Sequence, residues 1–93
     1  MKGSETSREA ALSMLPAAGT IQRAILELFE AVGDEGLTDD EIEVELDLKH
    51  QTASAQRRAL ELATFVRKTN RRRLTRSGRA AGVYVVSHDL QHL

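Results

Sequence analysis

Residues 36–63 read GLTDDEIEVELDLKHQTASAQRRALELA, and the fold turns on how this stretch divides. Thr38 and Glu41 stand in the Thr-x-x-Glu spacing of a capping box, in which each side chain satisfies the other's free backbone amide, so a helix opens there. Its inward positions are Ile42 and either Leu46 or Val44. Acidic residues crowd its first turn, where the helix dipole favours them. Leu46-Asp47-Leu48 then breaks the pattern for about three residues, the turn length of a helix-turn-helix. Asp47 takes the place where such turns often hold Gly, and Asp is among the few other residues that tolerate a left-handed backbone. A further helix is predicted from about Lys49 to Ala63. Ala55, Ala59, Leu60 and Ala63 can face inward on it, while Gln51, Ser54, Arg58 and Glu61 form one polar stripe.

Upstream, Ile21, Ile25, Leu28, Phe29 and Val32 fall on one face of a helix that runs from Thr20 and ends before Gly33, and Gly33-Asp-Glu-Gly36 reads as a turn. Before that, Thr6 and Glu9 repeat the capping-box spacing and predict a short helix to Leu15, which Pro16 separates from the body. Downstream the period changes. Phe65 to Thr69 and Val83 to Val86 are both β-prone, and the basic segment between them holds Asn70, Ser77, Gly78 and Gly82, which describes a β-hairpin with a long basic loop. The expected class is mainly α with a small hairpin (α+β). It comprises an N-terminal helix and connector over 1–19, one domain over 20–87, and a short tail over 88–93.

The formal net charge of −1 conceals two large opposite charges. Up to Leu48, 12 Asp or Glu stand against 3 Lys or Arg, and from Lys49 onward 10 Lys or Arg stand against 2 Asp or Glu. A chain polarised in this way is expected to meet a polyanion with its basic side. Arginine outnumbers lysine there, which suits bidentate bonding to phosphate and guanine edges. Ninety-three residues make one domain with a small core, so function is expected on the surface or in a shallow groove. With no cysteine, disulfides, thiolate zinc sites and cysteine nucleophiles are excluded. No apolar run has the length of a membrane span, and the polar start MKGSETSRE differs from a signal peptide. The expectation is a soluble, cytoplasmic protein that does not engage membranes.

The succession of Gly36-Leu-Thr-Asp-Asp-Glu-Ile42, Leu46-Asp-Leu48, Gln51-Thr-Ala-Ser-Ala55 with Arg57-Arg58-Ala-Leu60, and Arg73-Leu-Thr-Arg-Ser-Gly-Arg79 resembles the winged helix-turn-helix domains encoded by bacteriophages and prophages. The resemblance runs from about Thr6 to Val86. It implies a three-helix core plus a wing, with an extra N-terminal helix, and a partner in double-stranded DNA, met in the host bacterial cytoplasm. The third helix, about 49–63, is then expected to enter the major groove. The wing, about 67–82, lies along the backbone or minor groove. Carried onto matching positions, Gln51, Ser54, Arg57 and Arg58 are the base-edge candidates and Arg73, Arg76 and Arg79 the wing candidates. Lys49, Arg67, Lys68, Arg71 and Arg72 join the wing residues as phosphate candidates. The chain departs from the family pattern in two places. Thr64-Phe-Val66 stands where Gly-Leu-Val is usual, and the basic run from Arg67 to Arg73 replaces the usual Ser-Gly turn.

Other readings of the same residues stand beside these. Arg57, close to the inward Leu60, can instead bridge to Glu41, Glu43 or Glu45. Gln51 and Ser54 can be an ordinary exposed helix start, and the arginine-rich segment a solvated surface. His50 can touch a phosphate when protonated or serve as plain polar surface, and Tyr84 is expected to pack against the helices. His88 and His92, spaced i, i+4, read as tail in preference to a metal site. Nothing supports catalysis or a small-molecule substrate, and no cofactor is expected. Ser77-Gly78 lacks the flanking Gly of a nucleophile elbow, and no Gly-rich loop ends in Lys-Ser or Lys-Thr. The competing function is a protein-interaction module whose acidic residues Asp34, Glu35, Asp39, Asp40, Glu41, Glu43, Glu45 and Asp47 engage a basic or host protein partner. A homodimer paired through the first helix is the further partner this reading allows.

Overall fold

A computed structural model describes residues 15–87, as three helices followed by a two-stranded antiparallel hairpin. The helix expected from Thr6 and the histidine pair His88 and His92 lie outside the described residues, Leu15 excepted. Helix α1 (Ile21–Val32) begins where Thr20 caps it, its hydroxyl accepting from the Arg23 amide at 3.2 Å, and stops at Gly33. Ile25, Leu26 and Phe29 form its buried face. Leu26 was not among the expected inward residues. Ile21 was, and is 42% exposed, in the first turn at the edge of a surface pocket that Gln56 of the third helix also lines.

A single 3-10 turn (Gly33–Glu35) leads to Gly36 and Leu37. Leu37 pairs with Tyr84 through two backbone hydrogen bonds of 2.9 Å, adding one bridge to the outer side of the hairpin. Gly36 permits that approach. A Cβ there would lie 2.7 Å from Val83 Cγ1 and 2.9 Å from Val85 Cγ1, and its φ of +72° is one that side chains rarely adopt.

Helix α2 (Asp39–Leu46) carries the complete capping box. The Glu41 amide donates to the Thr38 hydroxyl at 3.2 Å, and the Thr38 amide donates to the Glu41 carboxylate at 2.9 Å. Ile42 is buried and Leu46 packs at the core's edge, whereas Val44 faces outward. Asp47 ends the helix at φ 52°, ψ 52°, the left-handed conformation expected of it. Helix α3 (His50–Leu62) follows, with Lys49 and Ala63 as its caps. Its buried residues are Ala53, Arg57 and Leu60, spaced i, i+4, i+7. This corrects the expected inward set. Ala55 is exposed and Ala53 takes its place, because the helix is turned with Arg57 toward Asp39 and Tyr84, which leaves Gln51 and Arg58 of the polar stripe exposed and Ser54 and Glu61 half-buried.

The end of α3 is a Schellman motif. The Thr64 amide donates to Glu61 O at 3.0 Å, the Phe65 amide donates to Leu60 O at 2.9 Å, and Leu60 and Phe65 share the core. Thr64 is therefore at φ 67°, a position that glycine usually holds and that a β-branched residue occupies at a cost.

Strands β1 (Val66–Leu74) and β2 (Ala80–Val86) complete the fold. The expected long basic loop is mostly strand, and only residues 75–79 form the turn, closed by Gly78 N to Thr75 O at 2.9 Å. An edge strand tolerates Lys and Arg that a central strand does not, so the charges that made Asn70 to Arg73 read as loop are compatible with pairing. The ladder shifts register between Lys68 and Arg72, where the Thr69 hydroxyl donates to Val83 O at 2.7 Å. The core draws Ile25, Phe29, Ile42, Leu60, Phe65, Val66 and Val86 together from all three helices and both strands. Among the described residues no helix is long and apolar enough to cross a membrane.

Thr64→Gly is expected to stabilise the protein. Relief of a left-handed β-branched residue is worth about 1–2 kcal/mol, and the added chain freedom of Gly costs about 0.5–1 kcal/mol, so urea denaturation should show a net gain of about 0.5–1 kcal/mol.

Candidate nucleic-acid interface

With Ala53, Arg57 and Leu60 turned inward, helical geometry puts Gln51, Ala55 and Arg58 on the outer side of α3 and Ser54 half-buried on its flank, while His50 is exposed at the helix start. Together with Arg57 and Tyr84 these residues line a shallow groove of about 520 Å³ between α3 and the hairpin. The base-edge candidates Gln51, Ser54 and Arg58 therefore share one accessible face. Arg58 is 62% exposed and touches only Glu61, at 3.6 Å.

Arg57 does not share that freedom. It is 8% exposed, and its Nε and Nη2 donate to the two Asp39 carboxylate oxygens at 2.8 and 2.9 Å while Nη1 donates to Glu61 at 2.8 Å. Its guanidinium also lies over the Tyr84 ring, 4.2 Å from the centroid. All three nitrogens are engaged, so Arg57 is a structural tie between α2, α3 and β2 and not a base reader. Its partner is Asp39, not Glu41, Glu43 or Glu45. The Asp39 hydrogen bond, set against partial burial, holds the Arg57 proton more firmly than in free arginine. Tyr84 packs against the helices as expected, through this contact.

The remaining cations divide by strand face. Lys68 pairs with Tyr84 and Arg72 with Gly82, and directly opposed residues project to one side of an antiparallel ladder, so both point to the α3 side where Tyr84 lies. Gly82 makes room for this, since a Cβ there would be 3.0 Å from Lys68 Cε. Arg67 and Arg73, opposite Val85 and Ala81, belong to the other side. There Arg73 Nη1 meets both Glu41 oxygens at 2.7 Å and its Nη2 donates to Glu35 O at 2.7 Å. Arg71 donates to Asp34 O at 2.6 Å and to Glu35 O at 3.3 Å. These two arginines anchor the strand to the 3-10 turn, which withdraws them from the set of phosphate candidates.

At the hairpin turn, Arg76 Nε donates to Asp40 at 2.8 Å and its backbone amide to the same carboxylate at 3.1 Å, while Nη2 reaches Glu43 at 3.3 Å. The Arg76 hydrogen bond holds the Asp40 carboxyl below its ordinary range. Glu43 also meets His50 Nδ1 at 2.8 Å and raises the imidazole above its usual value. What this pair adds to stability is therefore present below the ordinary histidine pKa and is lost as pH rises through the raised one. Among the described residues, Lys49, Arg67, Lys68, Arg72 and Arg79 have no side-chain hydrogen bond or ion pair.

Sequence reasoning placed Gln51, Ser54 and Arg58 on one stripe, and they do lie together. It missed Ala55 as a groove-lining residue and Gly82 as the one that makes room for Lys68. Small side chains give no positive signal until their neighbours are known. No family model matches the chain, and no curated protein or solved structure matches it either.

Arg57→Met leaves Asp39 without its counterion in a largely buried position, and a loss of about 2–3 kcal/mol in urea denaturation is expected. Arg58→Met, by contrast, removes one exposed contact and should move stability by less than about 0.5 kcal/mol.

Proposed function

We propose that this chain is a winged-helix domain that binds duplex DNA by docking α3 in the major groove, with the hairpin alongside as a wing. The observation that carries the reading is the arrangement of Arg58, Lys68 and Arg72. These cations face the same side as the exposed Gln51 and the half-buried Ser54 and have no close partner beyond the 3.6 Å contact of Arg58, whereas Arg57, Arg71 and Arg73 are occupied within the protein. A helix about 10–12 Å across suits a groove about 12 Å wide. From Gln51 to Arg58 the helix advances about 10 Å, the rise of about three base pairs, with side chains at its ends suited to adenine and guanine edges. Lys68, Arg72 and Arg79 supply phosphate contacts, which set affinity and orientation without choosing sequence.

The role that fits this reading is that of a phage-type regulatory or DNA-transaction accessory protein, acting in the bacterial cytoplasm. It rests on the resemblance of the 36–79 motifs together with the order helix, helix, turn, helix, hairpin. The reading as an acidic docking module is the weaker of the two. Asp39, Asp40, Glu41 and Glu43, which would engage a basic partner, are already bound to Arg57, Arg76, Arg73 and His50.

Fluorescence anisotropy with a labelled duplex across a salt series tests the proposal. If Lys68, Arg72 and Arg79 meet phosphates, the log–log slope is about −3. Lys68→Ala and Arg72→Ala should each weaken binding and flatten the slope by about one, while Arg71→Ala should leave the slope unchanged. Affinity indifferent to salt, or no binding at low salt, overturns the reading.

A further inference from the structure

The contacts of Arg76 do more than close the hairpin turn. Its side chain is 62% exposed and sits at the tip of the element that would follow a DNA backbone, yet its guanidinium is held by two carboxylates whose side chains are well covered, Asp40 at 19% and Glu43 at 13% exposed. Asp40 and Glu43 stand i, i+3 on α2 and so share a face, presenting oxygens to one guanidinium much as the non-bridging oxygens of a phosphodiester do. Glu43 also holds His50 at the start of α3, so the carboxylate pair occupies the joint between the helix that would enter the groove and the turn that would flank it.

We propose that Asp40 and Glu43 form an internal competitor for phosphate, an autoinhibitory clasp on Arg76 that a nucleic-acid backbone must open in order to bind. The inference rests on the duplex-binding reading and adds its regulation. The clasp is solvent-facing on the arginine side, where an ion pair is weak enough to be exchanged for a phosphate. Opening it converts Arg76 from an internally neutralised group to a phosphate ligand. The two carboxylates therefore subtract from DNA affinity although they hold the turn in place. The backbone amide of Arg76, bonded to Asp40, keeps the turn close to α2, so the arginine side chain can swing out without the hairpin leaving the domain.

The test is a thermodynamic cycle on the full chain, read as duplex affinity by anisotropy. Asp40→Asn with Glu43→Gln should tighten binding by about fivefold at ~0.1 M salt and steepen the log–log slope by about one. The same pair of substitutions in an Arg76→Ala background should gain no more than Glu30→Gln with Glu45→Gln, an equal loss of charge at two exposed positions of α1 and α2. If the double variant fails to fold, Asp40→Asn alone, which keeps an oxygen for the Arg76 amide, is expected to give the same order of affinities. An equal gain with and without Arg76 would assign the effect to bulk charge and overturn the clasp. An unchanged or weaker affinity while the native chain still binds duplex also overturns it and leaves the duplex reading standing. No duplex binding by either protein at low salt removes both.

Discussion

The bond between Arg57 and Asp39 is the constraint from which the rest of the architecture follows. It joins the first turn of α2 to the middle of α3, and the same guanidinium covers Tyr84 of β2, so one side chain fixes three elements against each other. Burying a charge is costly unless it is paired and hydrogen-bonded, and here every guanidinium nitrogen has an acceptor. Asp39 is well placed to serve as that partner, since the N-terminal turn of a helix favours a negative charge. The tie also sets which face of α3 is outside. With Arg57 drawn inward, Gln51 and Arg58 are left exposed and Ser54 half-buried along the groove that lies between α3 and Tyr84 of the hairpin.

The opposite charges of the two halves acquire a structural meaning from this. Asp39, Asp40, Glu41 and Glu43 pair with Arg57, Arg76, Arg73 and His50, contacts that cross between 7 and 36 positions of sequence. The acidic half is thus a counterion for part of the basic half, more than a remote scaffold that repels a duplex. Cations left over after this pairing are not spread evenly. Lys68 and Arg72 lie on the α3 side of the hairpin, and the polarity that is diffuse in the sequence becomes a face in the fold.

Local signals were the legible part of the sequence. The capping box at Thr38, the turn at Asp47 and the limits of α3 follow from a few adjacent residues, and these are where expectation and structure agree. The discrepancies all depend on contacts between distant residues. Asn70 to Arg73 read as loop because charge lowers strand propensity, but pairing with β2 and the ties of Arg71 and Arg73 to the 33–41 segment hold it as a strand. Ala53 and Ala55 are indistinguishable by type, and only the orientation of Arg57 decides between them. That Arg57 would seek Asp39 was hidden by the 18 positions separating them, among five other nearby carboxylates.

The central claim is that, of the cations without an internal partner, Lys68 and Arg72 on the α3 side of the hairpin join Arg58 of α3 in the face proposed to meet DNA, whereas Arg67 lies on the other side. Amide chemical-shift mapping of the labelled chain during titration with a duplex of about 20 base pairs tests it most directly. The account predicts that the largest shifts fall on Gln51, Ser54, Ala55 and Arg58 and on Lys68 and Arg72. Shifts centred on α1 and the outer side of α2, or none at low salt, would contradict it.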